Sequence, residues 1–434
     1  MKLERTELEK EIYFNTIPTD KFKTEQLTLY LSVPLTSEAD ASRIALLPRV
    51  LRRGSREYPT ATAIVRRQEE LYSADLSAGT TKIGENQVLV LSIDVLRRDF
   101  VPQGEDLLIP AADLLLGLLF FPYVDKTTGV FDEEYVEGEK KNACNAIRSL
   151  QNNKAVYALN RCISHMCEGE AYAIHEWGSE AETEKITPAA LYDAYRRLLT
   201  EARIEIFYCG TQAPTALLDR IRNALKLINR HPVTKRSNAR HSHVEHRSHV
   251  TERAAVAQGK LCVGFRTNVT LADPDAAAFF LFHAIYSQSP TSKLFVNVRE
   301  KKSLCYSCGS RAESLCGLLF VSAGIDNRNR HRAVREILRQ LRKMRAGRIS
   351  EGELDMALRM LKNQLASLED EPVALRRFYL VRALCGVTDS PEGLSAALDG
   401  VTMRDIARVA KRVVPDTVYF LRGSQEGGED LDDE

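Results

Sequence analysis

No stretch of this 434-residue sequence is both long and apolar enough to cross a membrane. The most apolar run, residues 107–124, is interrupted by Pro110, Asp113 and Pro122, and so predicts a buried helix with breakers. Neither sign of charge dominates: 60 basic residues against 59 acidic leave a net charge of +1. That balance excludes the electrostatic footprint of a nucleic-acid or anionic-membrane binder. Aromatics make up 7% of the residues and are scattered, so they offer no stacking platform for bases. The N-terminal Met-Lys-Leu-Glu-Arg-Thr-Glu is charged and lacks the apolar core of a signal peptide. There is no Gly-rich phosphate loop before a helix and no Gly-x-Ser-x-Gly elbow. The nine cysteines are odd in number and have no framework spacing, which predicts reduced thiols in a cytoplasm.

What is present describes a soluble globular chain, with 44% hydrophobic and 27% charged residues and a length that predicts more than one domain. Residues 1–22 enter as a strand or arm. Alternation over 27–35 predicts a strand, and helical spacing over 39–53 predicts a helix that stops at Gly54. A second helix covers 61–71, and 77–81 and 87–95 read as paired strands joined by a Gly-Glu-Asn turn. The buried helix covers 107–121, and one or two long helices cover 132–167. Thr187-Pro188 combines an N-cap with proline at the first helical position. That helix runs to Thr200, and a strand over 203–209 ends at Gly210. The second half predicts strands at 260–266, 306–310 and 317–325. Its helices are expected at 273–286, 294–299, 331–345, 350–366 and 373–385, with a last helix from Thr402 and a strand over 417–421 ending at Gly423.

The two halves echo each other. Ile186-Thr187-Pro188 precedes Tyr208-Cys209-Gly210 as Val401-Thr402-Met403 precedes Leu421-Arg422-Gly423, with 23 residues from Thr187 to Gly210 and 21 from Thr402 to Gly423. Ser149-Leu150-Gln151 returns as Ser367-Leu368-Glu369, and Leu71-Tyr72-Ser73 returns near Leu304-Cys305-Tyr306-Ser307. Repeated order of this kind predicts a duplicated α+β domain, each copy a mixed or antiparallel sheet packed with helices. The expected division is an N-terminal domain over 1–228, a polar, basic linker over 229–258, a C-terminal domain over 259–423 and a disordered acidic tail over 424–434.

Three motifs invite chemistry. The linker holds five of the nine histidines: His231, His241, His243, His246 and His249. Lys235, Arg236, Arg240, Arg247 and Arg253 surround them and oppose a cation, so no metal is expected there. Cys305-Tyr-Ser-Cys308 has redox-motif spacing, but in a regular strand its sulfurs point to opposite faces, so no working dithiol is expected. Residues 296–310 place a charged turn, 299–302, between an apolar helical run and a β-prone run. Arg299 is a rigid fork of donors for a carbonyl or carboxylate, and the Tyr306 hydroxyl can donate to an oxyanion.

The run Ala45-Leu-Leu-Pro-Arg-Val-Leu-Arg-Arg-Gly-Ser55 resembles the zinc helix of the pitrilysin and mitochondrial-processing-peptidase family, an inverzincin His-x-x-Glu-His helix closed by Gly-Thr or Gly-Ser. In that register the ligand and base positions are Ala45, Pro48 and Arg49, none of which binds zinc or acts as a base. The family's third ligand, in a charged run resembling 137–147, falls on Ile147 or Ala146. The pattern Leu-Phe-x-x-Val-Arg-Glu-Lys-x-x-Leu-x-Tyr, residues 294–306, is similar to the family's C-terminal signature. There the Arg and Tyr reach the partner domain's zinc site to hold substrate and polarise the scissile carbonyl. The resemblance therefore implies a processing-peptidase-like metallohydrolase fold in a clamshell arrangement, with those roles on Arg299 and Tyr306. It implies no cofactor in this chain and zinc in a homologous His-x-x-Glu-His partner subunit that shares a peptide or protein substrate. Such bacterial pairs are similar to the proteins associated with aminopentanol modification of elongation factor P. The alternative is an inactive peptide-binding or scaffold protein that forms a homodimer. A third reading, zinc chemistry on the linker histidines, predicts about one tightly held zinc per chain.

Overall fold

The computed structural model describes residues 3–211, 213–233, 244 and 246–423. Within it the chain forms two compact units: residues 1–149 with 174–237, and residues 150–173 with 238–434. No helix among the described residues is long and apolar enough to cross a membrane.

The first unit is built on six strands: β1 (Glu4–Glu9), β2 (Ile12–Pro18), β3 (Thr24–Pro34), β4 (Asp75–Ile83), β5 (Asn86–Leu96) and β6 (Arg203–Gly210). They lie in the order β1-β2-β6-β3-β5-β4, with β2 and β6 parallel and the other neighbours antiparallel. Helices α1 (Glu38–Leu51), α2 (Ala61–Glu70), α3 (Leu108–Phe120) and α4 (Glu133–Ser149) fill the connections. Leu46, Leu47 and Leu51 of α1 and Leu114, Leu115 and Leu118 of α3 pack with Leu29, Leu31, Leu89 and Leu91 of the sheet in one apolar core. The second unit begins with α5 (Lys154–Met166); the chain then returns to the first unit with α6 (Glu180–Glu184), α7 (Pro188–Glu201) and α8 (Thr215–Leu225).

The second unit's sheet has strands β7 (Ser248–Ala254), β8 (Gly259–Arg266), β9 (Cys305–Glu313), β10 (Leu318–Ile325) and β11 (Val414–Gly423), in the order β7-β11-β8-β10-β9. Here β7 and β11 are parallel and the rest antiparallel. This is the arrangement of β2-β6-β3-β5-β4, strand for strand. The helix caps repeat as well: Thr187 accepts from the Ala190 N–H ahead of β6, and Thr402 from the Asp405 N–H ahead of β11. The helices of this unit are α9 (Ala276–His283), α10 (Arg330–Arg345), α11 (Glu351–Ser367), α12 (Pro372–Cys385), α13 (Pro391–Asp399) and α14 (Met403–Arg412).

The compact units differ from the sequence-based division in two places. Residues 150–173 join the second unit because Cys162, Ile163 and Met166 of α5 pack on Cys262, Phe320 and Tyr419 of its sheet. The expected linker ends in strand β7, whose pairing with β11 satisfies its backbone although few of its side chains are apolar. The rest of that stretch, with His241 and His243, lies mostly outside the described residues, as does the acidic 424–434.

Candidate functional site

Two places carry the residues singled out by sequence, one in each unit. In the first unit, the side chain of Ser37 caps α1 by accepting from the Asp40 N–H, and Gly54 follows the helix where a Cβ would meet the Pro59 carbonyl oxygen at 2.6 Å. Ala45, Pro48 and Arg49 are spaced i, i+3, i+4 and share one face of α1. That face borders a cavity of about 490 Å³. Glu139, Ala143 and Ile147, one face of α4, border it too, as do Ala78, Gly79 and Thr80 of β4. Thus Ala45, Pro48, Arg49 and Ile147 come together around one space.

Zinc requires nitrogen, oxygen or sulfur donors at tetrahedral spacing. Ala45, Pro48 and Ile147 have none, and Arg49 brings a positive charge. The one carboxylate at the cavity, Glu139, is buried and accepts from Arg53 Nε at 2.6 Å and from Asn142 Nδ2 at 3.2 Å. No group of three or more His, Cys, Asp or Glu suited to a metal occurs among the described residues. These side chains do not fit a zinc ion.

In the second unit, Phe295–Glu300 is a π-helical turn, a form often found where function demands an unusual side-chain placement. Arg299 lies over the Phe295 ring at 4.6 Å, with its Nε 3.5 Å from Glu300 Oε1 and 42% of its side chain exposed. The turn is fastened from below. Lys302 Nζ donates to Glu336 Oε2 of α10 at 2.6 Å, Val298 and Leu304 are buried, and Ser303 takes a left-handed φ of 48°. Burial pushes the Glu336 carboxyl up, but hydrogen bonds from Arg339, Lys302 and Gln340 outweigh it and hold the group at about 2.

Strand β9 then opens with a bulge. Cys305 pairs with Ile325 and Ser307 with Gly324, so Tyr306 has no partner across the ladder. The extra residue turns Tyr306 outward, where it is 75% exposed. Among the described residues its hydroxyl has no hydrogen-bond partner. The bulge also corrects the expectation for Cys305 and Cys308. The inserted residue brings the two thiols to one side of the strand. The Cys308 thiol holds the Cys305 thiol below its ordinary value; burial works against the shift and the Arg299 charge adds to it. None of the nine cysteines forms a disulfide.

Sequence reasoning missed Arg52, Arg53, Glu139 and Trp177 at the cavity. A signal did exist for the strand side: Gly79 in mid-strand marks a place left open to another group, and a Cβ there would meet nothing within 4 Å.

Comparison with known proteins agrees with this geometry. Residues 185–361 match the family model described as Peptidase M16 inactive domain. A curated relative, the probable inactive metalloprotease YmfF of Bacillus subtilis (strain 168), is 31% identical over 409 residues, covering 94% of this chain and 95% of that protein. Among solved structures, a conserved protein from Enterococcus faecalis V583 is 28% identical with a TM-score of 0.89, over 99% of this chain and 100% of that one. The structure named as a peptidase M16 inactive domain from Pseudomonas fluorescens is 15% identical, with a TM-score of 0.77 over the full length of both chains, and shares the fold.

Proposed function

We propose a function from one premise: the chain belongs to the M16 peptidase family, as a member without the catalytic metal ligands. On this reading it is the non-zinc-binding subunit of a processing-type peptidase pair. A homologous partner supplies the His-x-x-Glu-His helix, the zinc and the glutamate that activates water. This chain supplies Arg299 to hold the substrate and Tyr306 to donate to the carbonyl oxygen as charge develops on it. The observation that carries the reading is Tyr306 itself. A large aromatic side chain is turned into solvent by a bulge, its hydroxyl without a partner, on a turn fastened by a buried carboxylate. A purely structural tyrosine is normally buried, with its hydroxyl hydrogen-bonded. The reading places the pair in a cytoplasm, in keeping with nine cysteines that form no disulfide.

The test is purification of the tagged chain from its host, followed by kinetics on whatever assembly results. A stoichiometric partner carrying His-x-x-Glu-His is expected. In the assembled pair, Tyr306→Phe lowers turnover by roughly a hundredfold, the usual loss for one oxyanion donor, with KM less affected. Unchanged turnover for both Tyr306→Phe and Arg299→Ala removes them from the mechanism.

A second reading, peptide capture without chemistry, is favoured by a separate observation. Among the described residues strand β4 pairs with β5 alone, which leaves its outer edge unpaired, and Ala78 to Thr80 of that strand border the cavity beside α1. An extended peptide can add to such an edge through backbone hydrogen bonds. Peptide binding at this edge also fits the first reading, since a subunit that positions substrate must first bind it; the readings part on whether chemistry follows.

A further inference from the structure

We propose that the cavity beside α1 is a carboxylate pocket that takes an acidic side chain of an extended peptide lying on the open edge of β4; this rests on the peptide-capture reading above. Three guanidinium groups border the cavity, those of Arg49, Arg52 and Arg53, against the single carboxylate of Glu139. Glu139 is occupied by Arg53 through an ion pair. Among the described residues, the side chains of Arg49 and Arg52 have no hydrogen-bond, ion-pair or ring partner. Two guanidinium groups without a partner therefore border a half-open cavity, Arg49 half-buried there and Arg52 exposed.

A guanidinium that has lost part of its hydration gains most from a carboxylate, which accepts two parallel N–H bonds from its planar fork. The remaining walls do not compete for that anion: Ala45, Pro48 and Ile147 are apolar and Gly79 leaves the space open. The chemistry of the pocket is inverted relative to a metal site, because a fixed side-chain cation stands where a zinc ion would need donors. The open β4 edge beside it supplies the means to hold a peptide backbone, from which an alternate side chain reaches the pocket.

The molecule carries its own reporter. Trp177 is the only tryptophan of the chain and borders this cavity. Its loop is held on α1 by Gly178 (φ 64°), where a Cβ would collide with Ser42 Oγ and the Glu38 carbonyl, and by the Ser179 N–H, which donates to Ser42 Oγ at 3.1 Å.

The experiment titrates the full chain with blocked peptides of about ten residues that are identical except for a central Glu or Gln, and with succinate as a free carboxylate, reading Trp177 fluorescence and peptide anisotropy. The Glu peptide is expected to bind about tenfold or more tighter than its Gln twin, as fits a charge-assisted bidentate contact, and to change Trp177 emission. Arg49→Gln is expected to bring the two peptides within about twofold, and Arg52→Gln, at an exposed position that does not threaten folding, to narrow the gap in the same direction. Equal binding of the Glu and Gln peptides overturns the carboxylate pocket and leaves peptide capture standing. A Glu preference that survives both substitutions overturns the assignment to these arginines. If neither peptide binds, the peptide-capture reading falls and this proposal with it; succinate moving Trp177 emission in that case identifies a small-carboxylate site.

Discussion

Pro48 stands inside α1, where its ring nitrogen has no hydrogen to donate to the Ile44 carbonyl. A proline in a helix interior costs about 3 kcal/mol relative to alanine. Replacing it with alanine also removes two buried ring carbons, at about 0.8 kcal/mol each. The helix effect wins, so Pro48→Ala is expected to stabilise the chain by about 1–2 kcal/mol in urea unfolding. A drop in the midpoint would mean that the ring packs in α1 better than its backbone cost suggests. The same residue illustrates the chemistry of the site. A position that would serve as general base in a zinc helix carries the side chain least able to accept a proton or to let the helix continue undisturbed. Tyr306 makes the complementary point: its outward placement depends on one inserted residue in a ladder, which residue type alone does not announce.

Among the elements, α5 is the one placed by contacts far away in sequence. Arg266 of β8, itself buried, lies between Asp416, at 2.8 Å from its Nε, and Glu170, which follows α5. Its guanidinium also donates to the Met166 carbonyl at 2.8 Å. Removing the arginine leaves two carboxylates desolvated and unpaired, which typically costs about 3–5 kcal/mol. Arg266→Ala is therefore expected to destabilise the second unit by about that much and to speed hydrogen exchange in residues 154–166 before the rest of its sheet. Uniform exchange across the unit would show that α5 is held by its apolar face instead. Periodicity made both α4 and α5 legible as helices, but nothing in their spacing distinguished which sheet each would cover. Helix α13 carries a local start signal in Ser390-Pro391, an N-cap followed by proline at the first position, although the helices expected from sequence do not include it. Strand β7 was not readable, because it is an edge strand with alternate residues exposed and little apolar content.

For the whole molecule, two buried groups contribute to the response to acid at different pH. Hydrogen bonds outweigh burial at Glu336 and depress it from 4.5 to about 2, so its contribution is complete above about 4.5 and is lost as the pH falls toward 2. Burial alone pulls His283 down from 6.5 to about 4, while its Nε2 lies 2.8 Å from Ser310 Oγ. The unfolded chain takes up that proton first, so the neutral histidine's contribution is lost as the pH falls from 6.5 to about 4. Urea midpoints are expected to fall in two stages below pH 7, the first flattened by His283→Gln and the second by Glu336→Gln. A flat profile between pH 7 and 4 would show that His283 is not buried neutral.

Residue order alone determined several features of this protein. Alternation, helical spacing and capping residues are local, so they marked most strands and helices, and their recurrence marked the duplication that the two sheets share. The lack of zinc donors at Ala45, Pro48, Arg49 and Ile147 is equally a property of residue type. Only the tertiary structure decided the assignment of residues 150–173 to the second unit, the parallel pairing of β7 with β11, the bulge that turns Tyr306 outward, and the meeting of Arg49, Arg52 and Trp177 around one cavity. Each of these depends on backbone pairing or packing between residues distant in the chain, and a periodicity carries no information about which distant partner a face will meet.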